Sequence, residues 1–148
     1  FWRFILCKSS CSTFCLKVRS ETVNDKEQIA LEAVKEVKGD MVVGLGTGST
    51  ANCFIEALAR RCRDERLRVT TVASSVISAI EARRHGLPQI AVEQVTRLDL
   101  YVDGADEVTP DLTLLSTTPG VVEHGIFVDL ATALYVAIDG DVERREAG

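Results

Sequence analysis

About a third of the way along the chain, a glycine-rich segment joins a short apolar run to an amphipathic one. The apolar run 41–43 predicts a buried strand, and apolar residues recur at helical spacing over 54–59. Between them lie Gly44-Leu45-Gly46-Thr47-Gly48-Ser49-Thr50. Glycines let a backbone approach an anion closely, and a following helix start adds free amides and a favourable dipole. The segment predicts a phosphate-binding strand–loop–helix unit; the alternative is a tight turn whose glycines serve only packing.

Strand and helix patterns alternate on both sides of this segment. Helices are predicted from Asn24 to Gly39, over 54–59, and from a cap at Ser74 or Ser75 to Gly86; strands are predicted at 69–72, 90–92, 98–102 and 112–115. Further strand patterns follow at 121–122, 126–128 and 134–138, with a hairpin turn at Asp139-Gly140. This alternation predicts an α/β fold with an open, mainly parallel, Rossmann-like sheet flanked by helices.

Composition narrows the classes of partner. The 148 residues carry a formal net charge of −5, although residues 1–20 are basic and contain no acid, so the remainder is more acidic than the total suggests. An acidic chain repels nucleic-acid phosphates. No apolar run approaches the ~18 residues of a membrane-spanning helix. We therefore expect neither a nucleic-acid partner nor a membrane partner.

The first residues differ in kind from the rest. Residues 1–20 are basic and rich in Ser and Cys, which is typical of transit peptides or of sequence translated upstream of a true start. We expect residues 1–23 to be a disordered extension and residues 24–148 to form a single α/β domain. The expected location is cytoplasmic, or an organelle if residues 1–20 act as a transit peptide.

A second polar segment follows the strand predicted at 98–102. Asp103-Gly104-Ala105-Asp106 places two carboxylates three residues apart, where they can accept hydrogen bonds from sugar hydroxyls or move protons. The alternative is a structural turn with solvated acids. The five cysteines include no Cys-x-x-Cys pair, so we expect reduced, non-catalytic thiols and no metal site.

The class of phosphorylated ligand can be narrowed, because the glycine-rich loop lacks residues that two common phosphate-binding motifs require. The dinucleotide-binding pattern requires a third glycine where Ser49 stands, and a nucleotide P-loop requires Gly-Lys-Ser/Thr, yet no lysine follows Lys38. A small phosphorylated metabolite remains as the predicted ligand.

Taken together, these motifs resemble type A ribose-5-phosphate isomerases. The resemblance rests on residues 42–51, 73–75, 100–107 and 119–127 and extends over about residues 25–148. It implies interconversion of ribose 5-phosphate and ribulose 5-phosphate, a step of the non-oxidative pentose phosphate pathway, through an enediol and with no cofactor. It also implies a possible homo-oligomer. By position, the implied substrate-binding residues are Thr47, Gly48, Ser49, Thr50, Ser75, Asp103, Gly104, Ala105 and Asp106. Asp103 and Asp106 are also implied to support catalysis.

The sequence departs from this family after the strand predicted at 112–115. There the family has a Lys-Gly-Gly-Gly loop followed by the glutamate that is its general base, and later a second substrate-binding lysine. Here Ser116-Thr117-Thr118 leads directly into the family's C-terminal stretch, so the domain over 24–148 is incomplete and lacks most of the small α+β domain. We therefore expect an isomerase by descent with impaired activity. The alternatives are a catalytically dead sugar-phosphate-binding fragment and a non-functional remnant.

Overall fold

A computed structural model describes residues 12–18, 23–104, 107–108, 114–116, 125–127, 133–138 and 141–146. The helices are α1 (Val23–Ala33), α2 (Ser49–Asp64) and α3 (Val76–Arg84). The strands are β1 (Ser12–Val18), β2 (Val42–Leu45), β3 (Thr70–Ala73), β4 (Leu100–Gly104), β5 (Glu107–Val108), β6 (Leu114–Ser116), β7 (Gly125–Phe127), β8 (Ala133–Ile138) and β9 (Asp141–Glu146). Among these described residues, no helix combines the length and apolar character needed to cross a bilayer.

Six strands form the main sheet, in the order β3-β2-β4-β1-β8-β9. All neighbours in it run parallel except β8 and β9, which pair as an antiparallel hairpin. The α/β fold with a mainly parallel sheet and flanking helices is thereby confirmed. The hairpin predicted around residue 139 is present in the pairing of Ile138 with Asp141, although its two turn residues lie outside the described part of the chain.

Residues 12–18 correct the expectation for the N-terminal segment. We expected residues 1–23 to lie outside the fold, but β1 pairs with β4 on one side and with β8 on the other. The basic composition of the surrounding residues was a poor guide, because a central strand is held by backbone hydrogen bonds along both of its edges. The remaining residues of 1–22 lie outside the described part, and the division into an extension and a domain stays a prediction.

The strand predicted at 90–92 is also wrong. Only a single parallel bridge joins Gln89 to Thr71, and Val92–Gln94 is a short 3-10 helix instead. The Ala91 amide donates to the side-chain oxygen of Gln94 at 3.2 Å, which bends the backbone away from β3. A side chain that competes for backbone donors in this way favours a turn over a ladder.

The small sheet is separate from the main one. Strands β5, β6 and β7 pair antiparallel in that order. The resemblance implied the loss of most of the small α+β domain, and these three short strands are the only ones that the described residues contain outside the main sheet.

The hydrophobic core holds the main sheet against α1 and α2. Apolar residues recur along α2 so that Phe54, Ile55 and Leu58 are each no more than 1% exposed, and they meet the buried side chains of Val43 and Val102. Burying side chains of this size stabilises by roughly 1.5–3 kcal/mol each. This packing holds α2 against the main sheet.

Helix α3 is packed less completely. Its buried residues are Ser78 and Ala82, whereas Ile77 and Ile80 are 58% and 49% exposed. The helix predicted between Ser75 and Gly86 is confirmed, with Ser75 as its N-cap and a positive φ of 76° at Gly86 just beyond its end. A glycine adopts this left-handed conformation without the cost that a Cβ imposes.

Candidate functional site

Three strand ends meet at one edge of the main sheet. In the ladders, Leu45 at the end of β2 is the partner of Ala73 in β3 and of Val102 in β4. Because these strands are parallel, the segments that follow them lie side by side at their carboxyl ends, where open α/β sheets bind ligands. The glycine-rich loop, the Ser74-Ser75 pair and Asp103 are thus brought together.

The loop ends at the start of α2. Gly48 is the N-cap with φ 110°, a conformation that side-chain-bearing residues rarely adopt. The Asn52 amide makes the first intrahelical bond, to the Gly48 carbonyl oxygen at 2.9 Å. The amides that precede it in the first turn have no intrahelical partner, because the first N–H groups of any helix lack one. The helix dipole adds positive potential at the same place.

The other two glycines of the loop serve a different purpose from the one expected. A Cβ on Gly44 would lie 2.4 Å from Cδ2 of Tyr101, and one on Gly46 would lie 2.2 Å from Oδ1 of Asp103. Real Cβ atoms do not approach other heavy atoms this closely. Gly44 and Gly46 therefore make room for two side chains of the neighbouring strand β4. The packing interpretation holds for these two glycines, and positive φ is confined to Gly48 within this loop.

Asp103 lies behind the loop and is fully buried, with 0% exposure. Its Oδ1 accepts hydrogen bonds from the amides of Thr47 at 3.2 Å and Gly104 at 2.8 Å, and its Oδ2 accepts one from the Tyr101 hydroxyl at 2.8 Å. Buried carboxylates need such donors, because leaving one unsatisfied is costly. In this arrangement the carboxylate holds the turn at Thr47, and the sequence-based expectation that it contacts a sugar stays a prediction.

Hydroxyl groups connect the loop to α3. Thr47 Oγ1 lies 2.7 Å from Ser75 Oγ and 3.3 Å from Ser74 Oγ. Ser75 in turn accepts the amide of Ser78 and returns its own amide to the Ser78 hydroxyl, which completes a capping box. These hydroxyl contacts link the starts of α2 and α3, and the implied role of Ser75 in substrate binding stays a prediction.

Lys26 is a site residue that the sequence reasoning missed. Its Nζ donates to Ser49 Oγ at 3.0 Å, although the two residues are 23 apart in the chain. The contact places an ammonium group beside the first residue of α2. No local sequence pattern predicts this contact, because Lys26 occupies an ordinary polar position of α1 and comes close to Ser49 only through the packing of α1 on α2.

Tyr101 was also missed, although the sequence carries a signal for it. Successive side chains of a strand point to opposite faces, so Tyr101 and Asp103 share a face of β4. Gly44 and Gly46 have the same spacing on the adjacent strand and loop. The two matching i, i+2 pairs are the pattern that could have predicted the packing.

The remaining predicted residues are placed only in part. Thr50 is buried in the first turn of α2, Ser49 is exposed, and Gly104 is buried at the end of β4. Ala105 and Asp106 lie outside the described residues. Within the described part, no group of three or more His, Cys, Asp or Glu side chains is arranged to hold a metal ion.

The two cysteines whose side chains are described lie on α2. Burial raises the pKa of both Cys53 and Cys62, and for Cys53 the nearby carboxylates of Glu27 and Glu56 raise it further. A raised pKa keeps a thiol protonated and lowers its nucleophilicity. Both are free thiols, and the reduced, non-catalytic state expected for the cysteines stays a prediction.

The fold and this edge of the sheet define an α/β protein with a strand–loop–helix unit suited to an anion. The family model for ribose 5-phosphate isomerase A (phosphoriboisomerase A) matches residues 70–116. The chain is similar to the ribose-5-phosphate isomerase A of Lactococcus lactis subsp. cremoris, strain MG1363, with 45% identity over 89 residues, which are 60% of this chain and 40% of that protein. It is similar to the protein of the same name from Bartonella quintana, strain Toulouse, with 45% identity over 113 residues, or 76% and 48% of the two chains.

Solved structures of ribose-5-phosphate isomerases are also similar to this chain. A ribose 5-phosphate isomerase A from Methanocaldococcus jannaschii superposes with a TM-score of 0.62 and 39% identity, over 66% of this chain and 43% of that one. A D-ribose-5-phosphate isomerase in complex with phospho-erythronic acid gives a TM-score of 0.77 over 86% of this chain and 100% of that one; at 21% identity it supports the fold alone. The chain belongs to the ribose-5-phosphate isomerase A family, and it spans less than half the length of the curated relatives it matches.

Proposed function

We propose that this chain binds ribose 5-phosphate through the start of α2 and does not isomerise it. The single observation that carries the proposal is the contact of Lys26 Nζ with Ser49 Oγ, which brings a cation to the helix start where free amides already favour an anion. The hydroxyls of Thr47, Ser49 and Thr50 add donors at the same place. A phosphate monoester is the ligand group that such a set of donors and one ammonium suits best.

The sugar side of the proposal rests on the family. Its members are named for ribose 5-phosphate, and Asp103 and Gly104, the first two residues of the Asp103–Asp106 motif, end β4 beside the loop. We propose that Asp106, Ala105 and Gly104 line the sugar, with Ser75 next to Thr47. Asp103 contributes to this site by holding the loop from behind.

The proposed loss of turnover follows from what the chain lacks. No lysine follows Lys38, and the family match ends at residue 116, where the Lys-Gly-Gly-Gly loop and the general base would come next. A positioned base contributes typically 10²–10⁴-fold to proton transfer. Each missing lysine also removes a charge-assisted hydrogen bond to phosphate or oxyanion, worth about 1.5–3 kcal/mol. Binding should therefore be weak and sensitive to salt.

The test is a titration of the purified chain with ribose 5-phosphate, free ribose and inorganic phosphate, followed by amide NMR. We expect the amide chemical shifts of residues 47–51 to change with both ribose 5-phosphate and inorganic phosphate, and ribose 5-phosphate to bind more tightly of the two. Free ribose should cause no change. Gly48→Val should abolish them, because φ at this residue is 110°, where a branched side chain is strained, so the backbone at the helix start must change. Equal responses to ribose and ribose 5-phosphate would contradict the proposal.

An isomerase assay on the same preparation tests the second half. We expect no conversion of ribose 5-phosphate above background. Turnover that survives rigorous purification and disappears in Asp103→Asn would show that the chain is an active isomerase in which another residue acts as the base.

A further inference from the structure

A buried tyrosine stands directly behind the glycine-rich loop. Tyr101 is 2% exposed, and its ring fills the space beside Gly44 that a Cβ would otherwise occupy. Its hydroxyl donates to Oδ2 of Asp103 at 2.8 Å, two residues further along β4. The ring is thus fixed by packing, and its hydroxyl is held at a defined point relative to the carboxylate.

The carboxylate of Asp103 divides its oxygens between two tasks. Oδ2 faces the phenol, and Oδ1 receives the amides of Thr47 and Gly104 at 3.2 and 2.8 Å. Rotation of the carboxylate would exchange or displace these contacts. A hydrogen bond from a rigid donor to one oxygen opposes that rotation and keeps the other oxygen on the loop.

We infer that Tyr101 is a positioning residue of the phosphate loop, acting through Asp103 on the amide of Thr47. Holding this amide against Oδ1 orients Thr47, whose hydroxyl contacts Ser75, and sets the backbone that enters α2. The inference rests on the proposed function for its effect on ligand binding. Its effect on the loop itself does not depend on any ligand.

The chain provides a matched control in Tyr135. This residue is 3% exposed and donates its hydroxyl to Glu36 Oε1 at 2.8 Å, so it too is a buried phenol bonded to a carboxylate. It lies on β8, and its partner Glu36 belongs to the 3-10 segment after α1, not to the loop. Tyr135→Phe therefore removes this bond, together with the one that the hydroxyl accepts from Arg144 Nε at 3.2 Å, without touching Asp103.

The experiment compares Tyr101→Phe with Tyr135→Phe in the full chain. Phenylalanine keeps the ring beside Gly44 and removes only the hydroxyl. We expect Tyr101→Phe to speed hydrogen exchange of the Thr47 and Gly104 amides by about tenfold and to weaken ribose 5-phosphate binding by about fivefold. Tyr135→Phe should change neither by more than about twofold. Unchanged exchange and affinity in Tyr101→Phe, or equal changes in both variants, would overturn the inference.

A double-mutant cycle of Tyr101→Phe with Asp103→Asn separates the positioning role of Tyr101 from a general loss of stability. If Tyr101 acts through the carboxylate, Tyr101→Phe should weaken binding and speed Thr47 exchange much less in the Asp103→Asn background than in the wild type. Additive effects would contradict the inference. If the wild-type chain shows no ribose 5-phosphate binding, the proposed function fails, while amide exchange at Thr47 still decides whether Tyr101 positions the loop.

Discussion

Replacing Gly46 with alanine is expected to destabilise the chain by about 3 kcal/mol or more, because the new methyl group has no space. Its Cβ would lie 2.2 Å from both Cγ and Oδ1 of Asp103 and 2.6 Å from Cβ of the same residue. Asp103 is fully buried, so its side chain cannot swing into solvent to relieve the overlap. Either the loop moves away from β4 or the carboxylate is displaced.

The magnitude follows from both responses. Overpacking a buried site typically costs 1–3 kcal/mol, and losing one hydrogen bond to a buried carboxylate costs roughly another 1.5–3 kcal/mol. At risk are the bonds from the amides of Thr47 and Gly104 and from the Tyr101 hydroxyl. A loss of this size is a large part of the ~5–15 kcal/mol that stabilises a typical domain.

The assay is equilibrium unfolding in urea, with Gly39→Ala as the control. The nearest atom to a Cβ at Gly39 is Leu67 Cδ1 at 3.7 Å, an ordinary contact, so this variant should stay within about 0.5 kcal/mol of the wild type. Asp103→Gly removes all three atoms that clash and should make Gly46→Ala much less costly in that background. A Gly46→Ala variant as stable as Gly39→Ala, or one equally destabilised with and without the Asp103 side chain, would refute the reasoning.

Three further predictions concern separate parts of the molecule. Lys26→Gln should weaken binding of inorganic phosphate and ribose 5-phosphate, followed by NMR, by about tenfold or more, since a charge-assisted hydrogen bond is lost. The control Lys35→Gln should leave this binding unchanged, because Lys35 pairs with Glu32 on the surface. Deleting residues 1–20 removes β1, which joins β8 to the rest of the main sheet. The amides of β8 and β9 should then lose most of their protection against hydrogen exchange, while those of β2 and β3 keep theirs. Retained protection in β8 would contradict the observed strand order. Burial, aided by the hydrogen bond to Glu36, raises the pKa of Tyr135 from 10.0 to about 12. The neutral phenol therefore stabilises the fold fully below pH 10 and loses that contribution as the pH rises towards 12, so unfolding free energies measured over this range should fall more steeply for the wild type than for Tyr135→Phe.

Local pattern was sufficient for much of the main sheet. The apolar runs of β2, β3 and β4, the helical spacing in α2 and the serine cap of α3 each carry a short-range signal, and the parallel arrangement follows from their alternation. The strand at 90–92 was predicted wrongly because its apolar residues resemble a strand while the Gln94 side chain bends the backbone into a turn. The strand at 12–18 was missed because its environment is supplied by β4 and β8, which lie far away in the sequence.

The sequence by itself determined that a loop rich in glycine and hydroxyl side chains joins β2 to the start of α2, since glycines, hydroxyl side chains and a helix start are all contiguous there. Only the tertiary structure decided what each residue of that loop does. Gly44 and Gly46 are small because Tyr101 and Asp103 of β4 press against them, and the cation beside Ser49 comes from Lys26 on another helix. These roles depend on distances between segments more than 20 residues apart along the chain. The spacing of apolar residues along a chain predicts whether a segment is a helix or a strand. It does not predict which distant segment packs against that helix or strand, so such contacts are known only from the assembled sheet and helices.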